Sequence, residues 1–345
     1  MSAPALELSG LAKRFGAVQA LAGVELTLGA GEFLVVLGPT GAGKTTLLRT
    51  IAGLEQPDAG SLALFGRDAA ALAPAERDVA LVFQNFSLYP GKSVRANLEF
   101  PLRAPGRKLP RAEIEERVEW AAKLLHIERL LERSARTLSG GEMQRVAIGR
   151  AIVRRPKLFL MDEPLTNLDA KLREELRVEL RELARQLATP VLWVTHDQAE
   201  ALTMADRVAV LVAGSVLQTG TPEEVYRRPV SALVARQLGT PPMNAIRAKR
   251  AGDAWVAEDG TPLCPAQGPA GRATIGVRPE HVVLEGGASE GVVEVVEDLG
   301  PASVLLVAWA GTHVHALVAR GHAARPGDRV RPRFSAERAV VWTGE

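Results

Sequence analysis

The sequence predicts an α/β fold built on an open sheet, followed by a small all-β domain, and three observations carry that expectation. Short apolar runs, FLVVL (Phe33 to Leu37), VALVF (Val79 to Phe83), LFLM (Leu158 to Met161), VLWVT (Val191 to Thr195) and RVAVLV (Arg207 to Val212), alternate with helical patterns. Uninterrupted apolar runs suit strands covered on both faces. From Ala170 to Ala188, Leu172, Leu176, Leu180, Leu183 and Leu187 recur every three or four residues with Glu and Arg between them, the stripe of an amphipathic helix on a sheet. After Gly239 the texture turns to valine, glycine and proline without a long amphipathic pattern, and this reads as a β domain. The expected division is therefore residues 1–238 and 239–345, with a helix-rich insert at about 87–155 between the second and third strands.

At 345 residues the chain is long enough for two domains with separate cores. Lys and Arg number 42 against 40 Asp and Glu, so no strong basic field points to nucleic acid or an anionic membrane surface. Cys264 is alone and cannot form an internal disulfide, which fits a reducing compartment and a small packing role. The N-terminal MSAPALELSG lacks the basic segment and apolar stretch of a secretory signal. The longest nearly apolar runs, VAVLVA from Val208 and ASVLLVAWA from Ala302, fall short of the roughly 18 to 20 residues that span a bilayer. A soluble chain is expected, serving a membrane only by docking.

GPTGAGKTT, residues 38–46, joins the strand FLVVL to the helical pattern KTTLLRTIAGL. Gly38, Gly43, Lys44 and Thr45 satisfy G-x-x-x-x-G-K-[ST]. Such a loop turns the N–H groups of Gly38, Pro39's successor Thr40, Gly41, Ala42, Gly43 and Thr46 toward phosphate oxygens, with the positive end of a helix behind them. Lys44 would reach the β- and γ-phosphates of a nucleotide, and the Thr45 hydroxyl would hold Mg²⁺. Asp162 and Glu163 follow LFLM, and ligands of open α/β sheets bind beyond the carboxyl ends of strands. One carboxylate there can hold metal while its neighbour orients or deprotonates water. In LSGGEMQR, Ser139 and Glu142 form a capping box. Gly140 and Gly141 are poor helix formers, and they open the backbone of that first turn to a second anion seat.

LSGGEMQR resembles the signature motif of ABC-type ATPases. The resemblance implies an ABC-type P-loop ATPase domain, a RecA-like core plus a helical subdomain, with ATP and Mg²⁺ as ligands. In that family the signature of one subunit closes over ATP held by the phosphate loop of a second, which implies a head-to-tail dimer with two composite sites. Gln84 in VFQNFSLYP corresponds to the glutamine loop, which contacts metal and water near the membrane partner. Asp169 in LTNLDA matches the loop touching the other subunit, His196 in WVTHD the switch histidine, and Phe15 in KRFG the aromatic that stacks on adenine. Glu163 would then polarise the attacking water, with Asp162, Thr45 and Gln84 at the metal.

GTPPMN at 239–244 and GVRPEHV at 276–282 resemble the C-terminal region of carbohydrate-importer ATPases of the maltose and glycerol-3-phosphate type, an OB-like (TOBE) β barrel. The implied function is an ATPase powering import of a sugar, polyol or glycerol phosphate. Importers of polyamine, iron or sulfate share the RPE stretch and remain alternatives, as does a soluble ABC ATPase acting on nucleic acid or ribosomes. The implied partners are a second ATPase subunit, identical or not, permease subunits, and indirectly a solute-binding protein, at the cytoplasmic face of the cell membrane. No nucleic acid is expected. His313 and His315, two apart on an expected strand, share a face and read as solvent-facing side chains.

Overall fold

The computed structural model describes residues 3–104, 109–266 and 271–343. Contacts divide the chain into two compact units, Met1–Pro222 and Glu223–Glu345.

The first unit opens with β1 (Leu6–Phe15) and β2 (Val18–Leu28), an antiparallel pair. Sequence reasoning passed over this hairpin because its signal is alternation: Val24, Leu26 and Leu28 are buried while Glu25 and Thr27 face out. Beyond β3 (Phe33–Leu37) and α1 (Lys44–Ala52), β4 (Ala59–Leu64) and β5 (Arg67–Asp68) complete a four-stranded sheet ordered β2-β1-β4-β5. After β6 (Val79–Val82) comes the helical insert, with α2 (Val94–Glu99), α3 (Arg111–Leu124) and α4 (Gly140–Ile152). Then follow β7 (Leu158–Asp162), α5 (Ala170–Leu187), β8 (Val191–Thr195), α6 (Gln198–Met204), β9 (Arg207–Val212) and β10 (Ser215–Gly220).

The five apolar runs become five parallel strands in a sheet ordered β10-β9-β3-β8-β7-β6, with β10 antiparallel at one edge. Every residue of β3, β7 and β8 is buried, as two-sided coverage requires. Leu37 pairs with Thr195, and Val194 pairs with Asp162. The carboxyl ends of β3, β8 and β7 therefore stop in one row.

Helix α1 carries the phosphate loop at its start, and a buried cation closes its other end. Arg77, 2% exposed, donates from Nη1 to Thr50 O at 2.7 Å and Ile51 O at 2.8 Å, and from Nε to Leu72 O at 3.0 Å. A guanidinium there satisfies orphan helix carbonyls and opposes the helix dipole.

The second unit contains α7 (Pro222–Arg227) and α8 (Ala232–Arg236) and two antiparallel sheets. One comprises β11 (Asn244–Ala251), β12 (Ala254–Ala257), β13 (Pro262–Pro265), β14 (Arg272–Val277) and β19 (Ala339–Thr343); the other comprises β15 (Gly291–Asp298), β16 (Ala302–Trp309), β17 (Thr312–Ala319) and β18 (Arg329–Val330). Trp255, Ile275, Val293, Leu305, Val307 and Val314 belong to their shared core, and the lone Cys264 is buried with them. Asn244 ties the sheets together: Nδ2 donates to His315 O at 2.8 Å, and Oδ1 accepts from His315 N at 2.7 Å. Arg278, 2% exposed, donates to Leu238 O, to Ala235 O at 3.4 Å and to Tyr226 O at 2.7 Å. That clasp holds residues 226–238 to the β sheets, so the boundary lies upstream of Gly239, where the composition changes. His313 and His315 do share a face of β17; His313 pairs with Glu294 at 3.0 Å, and among the described residues no cluster of three potential metal ligands forms.

Arg77→Ala is expected to lower unfolding free energy by about 2 to 3 kcal/mol, since buried carbonyls lose their donors. A urea titration of the purified chain reads the shift in midpoint.

Candidate active site

The loop between β3 and α1 is made of glycine where neighbouring backbone comes close. A Cβ on Gly38 would lie 2.2 Å from Leu211 O, and one on Gly43 would lie 2.3 Å from Ala20 O. Gly43 also has φ 105°, in the left-handed region that favours glycine. Gly38 N donates to Thr195 O at 3.2 Å and Gly214 N donates to Ala42 O at 3.0 Å, bracing the loop from β8 and from the β9–β10 turn. Pro39, Thr40 and Gly41 are exposed at the loop's crest, and Thr46 is half-buried in the first turn of α1. No side chain caps α1 and no acid lies in its own first turn, which leaves the first N–H groups of the helix without a capping side chain.

Lys44 is 5% exposed, and its Nζ donates to Gly38 O at 2.8 Å and Pro39 O at 3.0 Å. The same ammonium lies 3.2 Å from Glu163 Oε1, while Glu163 Oε2 lies 2.9 Å from His196 Nδ1. Thr166 Oγ1 donates to that Oε2 at 3.3 Å. Glu163 has φ 43°, a left-handed conformation for a residue with a side chain, and its N–H donates to Val194 O at 3.0 Å. Such backbone costs about 1 to 3 kcal/mol and concentrates at working sites. Beside it, Thr45 Oγ1 donates to Asp162 Oδ1 at 3.2 Å. Burial pushes the Asp162 carboxyl above the usual range, the Thr45 hydroxyl pulls it back, and the neighbouring Glu163 charge raises it further. Lys44 and Thr45 beyond β3, Asp162 and Glu163 at the end of β7, and His196 just beyond β8 thus form one cluster.

Other predicted residues sit elsewhere. Gln84 is exposed just beyond β6, and its carbonyl accepts from Asn167 Nδ2 at 2.9 Å, which ties that stretch to the turn after Glu163. Ser139 caps α4: its Oγ accepts from Glu142 N at 3.4 Å, and Glu142 Oε2 accepts from Ser139 N at 2.8 Å. The Ser139 backbone N–H holds the Glu142 carboxyl below its ordinary value. Gly141 has a packing reason beyond the one read from sequence, because a Cβ there would lie 2.4 Å from Leu172 Cδ2 on α5, whereas at Gly140 the nearest atom, Leu168 Cδ2, is 3.4 Å away. Asp169 caps α5 by accepting from Leu172 N at 3.0 Å. Phe15, 45% exposed, ends β1 with the Lys13 ammonium 5.3 Å from its ring centre. Among the described residues, no hydrogen bond or ion pair joins Phe15 or Ser139 to the Lys44 cluster. Sequence reasoning missed Thr166, Asn167 and Glu200; the last, buried on α6, accepts from Trp193 Nε1 at 2.8 Å. Only Thr166 and Asn167 carried any signal, as polar residues close behind the paired acids.

A glycine loop between strand and helix whose lysine pairs with a carboxylate at a strand end two strands away is the arrangement of a P-loop nucleotide hydrolase. Comparison with known proteins narrows the class. A sequence profile described as ABC transporter matches residues 21–166, and one described as TOBE domain matches residues 275–342. The sn-glycerol-3-phosphate import ATP-binding protein UgpC 2 of Rhizobium johnstonii is 46% identical over 94% of this chain and 93% of its own length. UgpC of Chromobacterium violaceum is 44% identical over 99% of this chain and 94% of its own. Among solved structures, the ATP-binding cassette MJ0796, a dimer in a post-hydrolysis state bound to ADP and Pi, superposes with a TM-score of 0.57 at 31% identity, covering 63% of this chain and 98% of that one. The chain belongs to the ATP-binding-cassette family, among the ATPases that power import, and its reaction is the hydrolysis of ATP.

Native Asp162 keeps its proton to a higher pH than the same carboxyl in the unfolded chain. Between those two values the unfolded state has released its proton first, so stability falls as pH rises through that interval. Asp162→Asn is expected to flatten this part of the profile and to leave melting temperature at neutral pH equal or higher. Calorimetry from acid to neutral pH measures both.

Proposed function

We propose that this chain is the ATPase subunit of an importer for an organic phosphate of the glycerol-phosphate class, working as a head-to-tail pair beneath two permease subunits at the cytoplasmic face of the membrane. The observation that carries the catalytic part is the run of contacts from Lys44 to Glu163 at 3.2 Å and from Glu163 to His196 at 2.9 Å. The solute class is supported by the curated relatives, which are import proteins for sn-glycerol 3-phosphate.

In this reading the loop amides and Lys44 hold the β- and γ-phosphates of ATP, and Phe15 stacks on adenine. Thr45 Oγ1 and Asp162 Oδ1, 3.2 Å apart, present an all-oxygen donor pair. That pair fits Mg²⁺, which is held by one or two protein ligands plus phosphates and water rather than by a cage of carboxylates. Accordingly, no group of three His, Cys, Asp or Glu side chains capable of holding a metal occurs among the described residues. Thr45 and Asp162, and in this reading Gln84, would hold Mg²⁺, which would supply neutralisation of the phosphate charge. Glu163 accepts a hydrogen bond from the attacking water, and His196 steadies the carboxylate through Oε2. Because Ser139, Gly140, Gly141 and Glu142 have no bond to the Lys44 cluster, the start of α4 is free to serve the nucleotide of a second subunit, with Asp169 beside it. No helix among the described residues is long and apolar enough to cross a membrane; in this reading the chain is attached through the permease near Gln84.

Glu163→Gln is expected to keep ATP affinity while lowering kcat by about 10² to 10⁴-fold and to sediment as a dimer with Mg·ATP; undiminished turnover would remove Glu163 from the mechanism. In proteoliposomes holding the permease subunits encoded beside this chain, ATP turnover should rise with sn-glycerol 3-phosphate and its binding protein. Stimulation by a polyamine, iron or sulfate system instead would overturn the solute assignment alone.

A further inference from the structure

The outer face of the β11–β14 pair in the second unit carries charge that the fold leaves unpaired. Ile246 and Ala248 of β11, and Ala273 and Ile275 of β14, are buried in the core. Alternation therefore sends Arg247, Lys249, Arg272 and Thr274 to the opposite face. Arg247 lies across from Thr274, and Lys249 lies directly across from Arg272. Like charges opposed across an antiparallel pair destabilise it. Other cations of this unit do have partners: Arg329 and Arg331 share Glu290 at 3.0 Å and 3.5 Å, and Arg278 is taken up by carbonyls. Arg247, Lys249 and Arg272 make no ion pair among the described residues, although Glu258 lines the same concavity of about 410 Å³.

We propose that this face binds a small hydroxylated phosphate monoester, its phosphate on Arg247, Lys249 and Arg272 and a hydroxyl on Glu258 and Thr274. A phosphate dianion relieves the Lys249–Arg272 repulsion and accepts several charge-assisted hydrogen bonds at once. Glu258 turns away a polyanion such as a nucleic-acid strand but accepts a hydrogen bond from a ligand hydroxyl. The site is independent of which solute is transported.

The test is calorimetric titration of the full chain with sn-glycerol 3-phosphate, inorganic phosphate and glycerol, at two NaCl concentrations. Glycerol phosphate should bind wild type and Lys44→Ala alike, more tightly than inorganic phosphate, and more weakly at high salt. Lys249→Ala or Arg272→Ala should weaken it about tenfold or more, with ATP turnover retained as the sign of intact folding. The double reversal K249E and R272E should abolish binding, and Glu258→Ala should bring glycerol phosphate and inorganic phosphate to the same affinity. Absence of binding, binding that survives the double reversal, or binding lost only in Lys44→Ala, which assigns it to the phosphate loop, overturns the proposal.

Discussion

A buried ammonium must be compensated, and the catalytic half of this molecule is organised around that of Lys44. At 5% exposure the charge has little water, and an unpaired ion there would cost several kcal/mol. Two loop carbonyls and the Glu163 carboxylate supply the compensation. Each partner depends in turn on the sheet. The carbonyls exist in that position because β3 ends at Leu37, and Glu163 is in reach because β7 ends two strands away in matching register. The left-handed backbone at Glu163 and its bond to Val194 O are part of the same arrangement. In the proposed reading a triphosphate offers Lys44 stronger anionic partners than a peptide carbonyl does, and the same constraint would serve both folding and substrate capture.

Both units use a buried arginine against backbone carbonyls rather than against carboxylates. Arg77 closes the end of the helix that bears the phosphate loop, and Arg278 closes α8 and reaches Tyr226. A guanidinium presents several donors in a rigid fork, so a single side chain satisfies carbonyls from more than one segment. In the second unit this gives the RPE stretch a structural meaning. Arg278 joins residues 226–238 to the sheets, and Asn244 of GTPPMN stitches one sheet to the other through both bonds to His315. These motif residues are the fasteners of a β domain.

The start of α4 shows how one stretch answers two demands. Ser139 and Glu142 complete each other's hydrogen bonds, Gly141 makes room for Leu172, and the turn still presents its amide end outward. If the proposed anion seat lies here, these contacts hold it in place before any ligand arrives, which reduces the ordering cost of binding.

Much of this was legible in the sequence because it is local. Strands buried on both faces are apolar along most of their length, so β3, β7, β8 and β9 announce themselves as runs. The phosphate loop shows because backbone approach at Gly38 and Gly43 leaves no space for a Cβ. The capping of α4 and α5 shows because serine and aspartate act on amides three residues away. Strand order, the pairing of Glu163 with Lys44 and His196, the burial of Arg77 and Glu200, and the clasp of Arg278 were decided by tertiary structure. They join residues far apart in the chain, and whether a polar side chain ends buried against a particular carbonyl depends on where the sheet has already brought that carbonyl. Residue identity determined what each position would tolerate next to itself, and closure of the sheet decided which tolerances would meet.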